Sequence, residues 1–312
     1  MNGKDNILVI KLGALGDFIQ ALGPMKAIRA HHPEAHITLL TTKPFEDFAR
    51  RSGYIDEVKL DERPKWHQPL KWLALKNWLN SQNFSRVYDL QNNDRTCLYF
   101  KLLSPPKPEW IGIAKGASHR NISPDRTKGL AFYGHKQTLA FAGIENVGID
   151  PLDWIESAPG KFDLKDPYIL IVPGSAPTRP LKRWPAEHYA ALCNKLVSGG
   201  YHPVLIGTDS EKEITAQIAA ACPQALDLTG KTSLYDLAAL GRSAKACITN
   251  DTGPAHMIAP TGCLTIVLFS NDSNPVRHAP LGAHVKTLQE NNLEDLGVEK
   301  VYQAFSESID GA

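Results

Sequence analysis

A glycine-containing loop near the start of the chain carries a single carboxylate. Gly13 and Gly16 lie where the apolar segment 6–12 gives way to a helical pattern, and Asp17 follows at once. Glycine permits positive φ and close backbone approach at such a turn. Asp17 either caps the helix or acts as a general base. The spacing fits neither the dinucleotide fingerprint nor the P-loop, and a carboxylate would repel a pyrophosphate. Among functional roles a general base is therefore the most coherent, with helix capping as the alternative.

A second candidate site follows a strand pattern, in the segment VPGSAPTRPLKRWP at residues 172–185. Arg179, Lys182 and Arg183 cluster there, shortly after the pair Gly174–Ser175. Ligands of parallel sheets bind at the carboxyl ends of the strands, where cationic side chains suit a phosphate. The segment is either part of a phosphate site or a solvated basic loop, and its position favours the phosphate site.

A third candidate, TNDTGPAHMIAPTG at residues 249–262, joins a strand pattern to a helix. Thr252 and Gly253 would offer a hydroxyl and backbone N–H groups at the helix N-terminus, which is an anion site. Asp251 and His256 either contact a ligand or serve as a helix cap and a core histidine. Their spacing does not make a metal pair, and we expect neither a metal nor a cofactor.

Weaker signals are polar turns and one basic loop. Gly207 and the pair Thr229–Gly230 follow strand patterns, where they either border a nucleotide or form ordinary turns. The polar loop 115–128 either grips an anionic acceptor or remains solvated. Its candidate acceptor contacts are Lys115, Arg120 and Arg126. The candidate donor contacts of the whole chain are Gly13, Gly16, Ser175, Thr178, Lys182, Gly207, Thr229, Gly230, Asp251, Thr252, Gly253 and His256.

The elements that must position these residues alternate between apolar strands and amphipathic helices. This βαβα order predicts parallel sheets with helices on both faces. The pattern fails between residues 148 and 167, so we predict an N-terminal domain over 1–150 and a C-terminal domain over 151–312. A last amphipathic helix ends the chain, and it either belongs to the second domain or packs back on the first. The predicted strands are at residues 6–12, 36–41, 55–60, 86–91, 110–114, 168–175, 202–208, 225–229, 246–250 and 264–270.

Charge is distributed unevenly along the 312 residues, although the net charge is only +1. Residues 1–150 contain 21 Lys and Arg against 15 Asp and Glu, whereas residues 151–312 contain 13 against 18. A basic half suggests a phosphorylated substrate, an anionic membrane surface or nucleic acid, unless the charges are simply spread over the surface. The five scattered cysteines and the lack of a signal-peptide pattern or long apolar segment predict a cytoplasmic protein with reduced thiols.

In their order along the chain, these motifs resemble glycosyltransferase family 9, which contains the ADP-heptose:lipopolysaccharide heptosyltransferases. The most specific are G-x-x-G-D at residues 13–17 and D-T-G-x-x-H at residues 251–256, and the resemblance covers nearly the whole chain. It implies the GT-B fold, which is two doubly wound Rossmann-like α/β domains that face each other across a cleft. We therefore expect a first domain that binds the acceptor and carries the base, and a second domain that binds the nucleotide sugar.

The resemblance also implies roles for individual residues. Asp17 resembles the catalytic base, and Lys182 resembles the cation that steadies the diphosphate. Residues 251–253 and His256 resemble the donor-binding element. The reaction would be an inverting transfer of heptose from ADP-heptose to a lipopolysaccharide-core acceptor, without an obligatory metal. It would take place on a phosphorylated glycolipid at the cytoplasmic face of the inner membrane, with no nucleic acid involved.

Two other functions remain open at this point. A sugar-nucleotide epimerase on a similar scaffold would need no acceptor, and a non-catalytic binder of nucleotide sugars would show affinity without turnover. A nicotinamide oxidoreductase is disfavoured because the glycine fingerprint is absent.

Overall fold

The computed structural model describes residues 5–157, 159–175 and 178–310. Between Asp150 and Pro151 the chain divides into two compact units. Each unit is built around one six-stranded sheet, and every strand pair in both sheets is parallel. The expected α/β, doubly wound fold class is confirmed.

The first sheet has the strand order β3-β2-β1-β4-β5-β6. Its strands are β1 Asn6–Ile10, β2 His36–Thr41, β3 Glu57–Leu60, β4 Arg86–Asp89, β5 Glu109–Gly112 and β6 His119–Arg120. The α-helices of this unit are α1 Leu15–His31, α2 Glu46–Ser52, α3 Pro69–Ser81, α4 Asp94–Leu102 and α5 Ala131–Ala140. Because helices cover both faces of a parallel sheet, the central strand β1 is almost entirely apolar and buried.

The second sheet has the strand order β12-β11-β10-β7-β8-β9. Its strands are β7 Tyr168–Val172, β8 His202–Leu205, β9 Leu226–Asp227, β10 Ala246–Asn250, β11 Thr265–Phe269 and β12 Val285–Gln289. The α-helices described in this unit are α6 Ala186–Ser198, α7 Lys212–Ala221, α8 Leu234–Ser243, α9 Gly253–Ile258, α10 Pro275–His278 and α11 Val298–Asp310. The strand order reverses between β7 and β10, and such a switch point is where open α/β sheets bind ligands.

The last helix, α11, packs in the core of the second unit. Val301, Ala304 and Phe305 are buried there together with Leu192 and Leu196 of α6. The ring of Phe305 also lies edge-on against Tyr201, at 5.1 Å between centroids. None of the helices in the described part of the chain combines the length and the apolarity needed to cross a bilayer.

Helix α8 begins with a capping box whose acid has additional partners. The Asp236 carboxylate accepts hydrogen bonds from the backbone N–H and the hydroxyl of Ser233, both at 2.8 Å, and from Ser157 Oγ at 2.5 Å. Lys161 Nζ lies 2.6 Å from it. Burial opposes ionisation of Asp236, but the Lys161, Ser157 and Ser233 contacts outweigh it and hold its pKa well below the usual range.

We expect Asp236→Asn to lower the free energy of unfolding by about 1–2 kcal/mol at neutral pH, since the amide loses the ion pair and part of the cap. The carboxylate's pKa is depressed in the folded state, so its contribution is fully present above the unfolded pKa of 3.8 and is lost as the pH falls below it. Urea unfolding should therefore separate the two proteins at neutral pH and bring them together in acid. An equal difference at both pH values would contradict this assignment.

Candidate functional site

A cavity of about 320 Å³ lies at the switch point of the second unit. It is formed by the segments that follow β7, β8 and β10 and by the start of α8. Its volume is in the range of small-molecule pockets, and its lining combines apolar walls with a few polar groups, as such pockets usually do. The apolar part of the lining is Val172, Ile206, Leu234, Leu237 and Pro254, and the polar part is Ser175, Thr208, Glu211, Thr232, Ser233 and Thr252.

Hydroxyl groups hold the Glu211 carboxylate at the edge of this cavity, and two glycines leave room for its side chain. Its carboxylate accepts hydrogen bonds from Thr208 N at 2.8 Å and from the hydroxyls of Thr208 and Ser210, both at 2.6 Å. A Cβ on Gly207 would lie 2.8 Å from Glu211 Cβ, and a Cβ on Gly174 would lie 2.7 Å from Glu211 Cγ. Burial raises the pKa of Glu211, but the hydroxyl hydrogen bonds outweigh this and lower it. The carboxylate therefore lines the cavity in its ionised form and completes a capping box with Thr208.

A cation is fixed beside the end of β10. Lys182 Nζ lies 2.6 Å from Asp251 Oδ2, and Ser273 Oγ donates to the same oxygen at 2.5 Å. The side chains of Lys182 and Asp251 are 18% and 10% exposed. The ammonium group is therefore held in place while part of it still faces solvent.

The basic loop that contains this lysine is tied to β10 at both ends. Asn250 Nδ2 donates to the carbonyl of Pro173 at 2.7 Å, and Asn250 Oδ1 accepts from Trp184 N at 3.2 Å and from Tyr189 Oη at 2.9 Å. Because one buried amide serves both ends, the loop is anchored to the sheet at the position where a ligand would bind.

The remaining cations of the loop make separate contacts. Arg183 donates to the hydroxyl and the carbonyl of Ser175, at 3.3 and 3.1 Å. Arg179 lies 3.1 Å from Asp272, and Thr178 is exposed.

Thr252 and Gly253 begin α9, but the helix is not capped by the threonine. Thr252 has extended backbone angles and lines the cavity, and its side chain makes no cap hydrogen bond. His256 lies one turn further along, half-buried. Thr252 therefore lines the cavity without using its side chain to cap the helix.

The predicted turns divide into one that lines the cavity and one that supports it. Gly207 lines the cavity, whereas Thr229 and Gly230 are not among its lining residues. Gly230, with φ +72°, donates its N–H to the carbonyl of Gly207 at 2.9 Å, so this turn positions the lining loop.

In the first unit, the loop between β1 and α1 has the shape that its glycines predict. Gly13 has φ +121°, and a Cβ on it would lie 2.7 Å from the ring of Phe45. Gly16 and Asp17 are in the first turn of α1, which starts without a side-chain cap. Asp17 is exposed, and no hydrogen bond or ion pair to another described residue holds its carboxylate. The carboxylate therefore does not cap the helix, and it faces solvent.

The loop between β1 and α1 is held at Leu12 by the segments that follow β2, β3 and β4. The carbonyl of Leu12 accepts from Thr42 Oγ1 at 3.1 Å and from the guanidinium of Arg63 at 2.9 Å. The Leu12 N–H donates to Gln91 Oε1 at 2.8 Å. These contacts fix the backbone from which Asp17 projects.

Sequence reasoning missed a buried lysine behind this loop. Lys11 Nζ donates to the carbonyl of Leu90 at 3.3 Å. Burial lowers the pKa of Lys11 to about 8, although Asp17 and Asp89 partly oppose this. Burial likewise raises the pKa of Asp89 to about 6. A lysine directly after an apolar strand, in KLG, was the available signal for a buried charge near Asp17.

The candidate acceptor residues lie between β5 and α5. Lys115 and Arg120 are exposed and Arg126 is half-buried. Arg120 Nε donates to the carbonyl of Ile113 at 3.1 Å, which fixes part of its side chain. Their role toward an acceptor remains a prediction.

The chain is similar to known proteins over almost its full length. It is 27% identical over 308 residues to lipopolysaccharide heptosyltransferase 2 of Escherichia coli K12, which covers 91% of this chain and 87% of that protein. A family 9 glycosyltransferase structure from Veillonella parvula superposes with a TM-score of 0.79 at 22% identity, covering 99% of this chain and 98% of that one. The structure of the E. coli heptosyltransferase WaaC with ADP has a TM-score of 0.74 at 18% identity, and the match covers 97% of this chain and 99% of that one.

Fold similarity alone extends to another enzyme class. A UDP-GlcNAc 2-epimerase from Methanocaldococcus jannaschii has a TM-score of 0.61 at 10% identity, covering 99% of this chain and 92% of that one. The family model for glycosyltransferase family 9 (heptosyltransferase) matches residues 149–304, which is half of the chain and includes the cavity and Lys182. The chain therefore belongs to glycosyltransferase family 9.

Proposed function

We propose that this glycosyltransferase moves heptose from ADP-heptose to a hydroxyl of a lipopolysaccharide-core-type acceptor, with inversion at the anomeric carbon. The observations that carry the proposal are the cavity at the switch point of the second sheet and the pairing of Lys182 with Asp251, which directly precedes the lining residue Thr252. A curated relative that matches 91% of this chain is a lipopolysaccharide heptosyltransferase, and a solved heptosyltransferase of the same fold holds ADP.

The proposed donor uses both kinds of lining. The adenosine enters the cavity, where Ile206 and Leu237 contact the base and the Glu211 carboxylate accepts from ribose hydroxyls. The diphosphate lies toward Lys182 and the N–H groups at Thr252–Gly253, since these groups offer positive charge at the end of β10.

In this assignment, Asp251 acts on the donor through Lys182. A carboxylate in direct contact with a diphosphate would repel it, and Asp251 already accepts from Lys182 and Ser273. We infer that Asp251 holds the ammonium group in position, and that Ser273 orients the carboxylate.

The proposed chemistry divides between the two units. Asp17 takes the proton from the acceptor hydroxyl, whose oxygen bonds to the anomeric carbon on the face opposite the leaving group. The bond between this carbon and the phosphate oxygen breaks, and ADP departs with the electron pair. Lys182 and the N–H groups stabilise the negative charge that ADP gains, which is the role of preorganised donors at a developing anion.

The acceptor is proposed to be a phosphorylated glycolipid at the cytoplasmic face of the inner membrane. Residues 1–150 contain six more cationic than acidic side chains, which suits an anionic partner. Lys115, Arg120 and Arg126 are the candidates for contact with its phosphates. We infer peripheral association with this membrane and no binding of nucleic acid.

Two alternatives are less well supported. The epimerase is favoured by fold similarity alone, whereas the sequence relatives are transferases. A non-catalytic binder would give no role to the exposed carboxylate of Asp17, which does not cap its helix.

The test is incubation of the purified protein with ADP-heptose and a panel of other nucleotide sugars, with and without a lipopolysaccharide-core acceptor. We expect ADP release from ADP-heptose that requires the acceptor. A change in the donor sugar without ADP release would favour the epimerase, and donor binding without either reaction would favour the binder.

A separate prediction concerns Glu211. We expect Glu211→Gln to weaken ADP binding by about tenfold, because a charged hydrogen-bond acceptor for the ribose becomes neutral. Isothermal calorimetry with ADP measures the change. Glu213→Gln is the matched control, since Glu213 is exposed on α7 outside the cavity. Equal affinities of the two variants would contradict the ribose contact.

A further inference from the structure

An apolar stripe of the first unit faces solvent. Trp66 is 90% exposed, and Leu70 and Leu73 on α3 are 80% and 52% exposed. The opposite face of α3 packs in the core through Leu75 and Leu79. A helix with a single core face would carry polar residues at positions 70 and 73. Together with Trp66, the exposed leucines form an apolar surface that the described part of the unit does not cover.

The surroundings of the stripe are basic. The segment 63–85 contains Arg63, Lys65, Lys71 and Lys76 and no carboxylate. Lys65 and Lys76 are exposed, and Lys71 lies 2.7 Å from Glu62, which precedes the segment. Apolar side chains surrounded by cations match an anionic bilayer, whose interface also favours tryptophan.

The turn that carries Trp66 is held in place. Trp72 Nε1 donates to the carbonyl of Lys65 at 3.0 Å, and Lys65 N donates to Gln68 Oε1 at 3.0 Å. Behind the turn, Tyr99 Oη donates to the buried Asp61 at 2.6 Å. The exposure of Trp66 therefore belongs to an ordered turn, which presents the indole outward.

We propose that Trp66, Leu70 and Leu73, flanked by Lys65, Lys71 and Lys76, dock the first unit on an anionic phospholipid bilayer. The lysines contact lipid phosphates, while the three apolar side chains enter the boundary between headgroups and acyl chains. A protein partner fits less well, because lysine is depleted from protein interfaces. The inference deepens the proposed function, on which the need for a membrane rests, by assigning the docking surface.

A hydrogen bond connects this surface to the loop between β1 and α1, which precedes Asp17. Arg63, at the start of the basic segment, donates to the carbonyl of Leu12, next to Gly13. Docking through this segment would therefore bring the loop of Asp17 to the lipid surface on which the proposed acceptor lies.

The test is flotation of the full-length protein with vesicles of phosphatidylglycerol and phosphatidylethanolamine, and with vesicles of phosphatidylcholine alone. We expect the protein to bind the anionic vesicles, and to bind phosphatidylcholine vesicles about tenfold more weakly. The double variant Leu70→Ser/Leu73→Ser should bind the anionic vesicles about tenfold more weakly than the wild type or worse, because two leucines that enter the bilayer on docking are lost. Phe141→Ser, which changes a 50% exposed aromatic residue elsewhere on this unit, should bind like the wild type.

Two further measurements separate docking from folding and from catalysis. Trp66→Phe should reduce fluorescence quenching by brominated phosphatidylglycerol, without a change in thermal midpoint. All variants should keep the wild-type rate of heptosyl transfer to a deacylated, water-soluble acceptor. If no variant or wild type transfers heptose but vesicle binding follows the pattern above, the proposed function fails and the docking surface stands.

The docking surface is wrong if the double variant floats like the wild type or if Phe141→Ser loses as much binding. It is also wrong if the wild type binds vesicles only when they contain the lipopolysaccharide acceptor, since the segment would then recognise the acceptor and not the bilayer.

Discussion

Asp17→Asn should reduce heptosyl transfer by about 100- to 10,000-fold, the usual contribution of a general base, while ADP-heptose binds as before. Asparagine has nearly the shape of aspartate but cannot take the proton of the acceptor hydroxyl. The exposed carboxylate makes no hydrogen bond or ion pair to the described residues, although its charge acts on the buried Lys11. Acceptor-dependent ADP release gives the rate, and calorimetry with the donor gives the affinity.

Asp47→Asn provides the matched control for this variant. Asp47 is also an exposed carboxylate in the first turn of a helix of the first unit, where it pairs with Arg51 at 2.9 Å. We expect this variant to keep the wild-type rate. Undiminished turnover in Asp17→Asn would remove the base from the mechanism, and a parallel loss in both variants would indicate a general effect of charge.

The second large effect is expected for Lys182→Ala, which should lower kcat by about 100- to 1,000-fold, as the loss of one preorganised donor does elsewhere. The donor should also bind more weakly, because the ammonium group attracts the diphosphate before and during the reaction. The steady-state rate and the ADP affinity should thus both fall, unlike in Asp17→Asn.

The removal of Lys182 also deprives the Asp251 carboxylate of its ion pair. Two further variants control for this loss. Lys182→Ala/Asp251→Asn removes the uncompensated carboxylate and should still be slow if the missing cation is the cause. Arg179→Ala removes a more exposed cation of the same loop and should keep most of the activity. If the double variant regained the wild-type rate, Lys182 would serve only to neutralise Asp251.

The alternation of strands and helices was predictable because each buried strand appears in the sequence as a short apolar run. All ten predicted strands are present, and within the described residues two further strands, β6 and β12, lie at sheet edges. The strand β6 has only two residues, and β12 is half exposed, with Lys286 interrupting its apolar pattern. Edge strands such as these lack the buried run on which the prediction depends.

The loops of the candidate site were predictable, but their partners were not. Gly13, Lys182 and Thr252 stand out because a glycine turn, a basic loop and a helix start are local patterns. Ser273 follows β11 and meets Asp251 only because β11 lies beside β10, which no local pattern states. The capping box of Thr208 and Glu211 is a local pattern, but the room that Gly174 leaves for the Glu211 side chain depends on a loop after another strand.

The most direct measurement is a crystal structure with a 2-fluoro analogue of ADP-heptose, which binds but reacts slowly. The account predicts adenosine between Ile206 and Leu237, the diphosphate against Lys182 Nζ, and the Asp17 carboxylate on the open face of the anomeric carbon. A nucleotide bound outside this cavity, or an Asp17 carboxylate remote from the sugar, would contradict it.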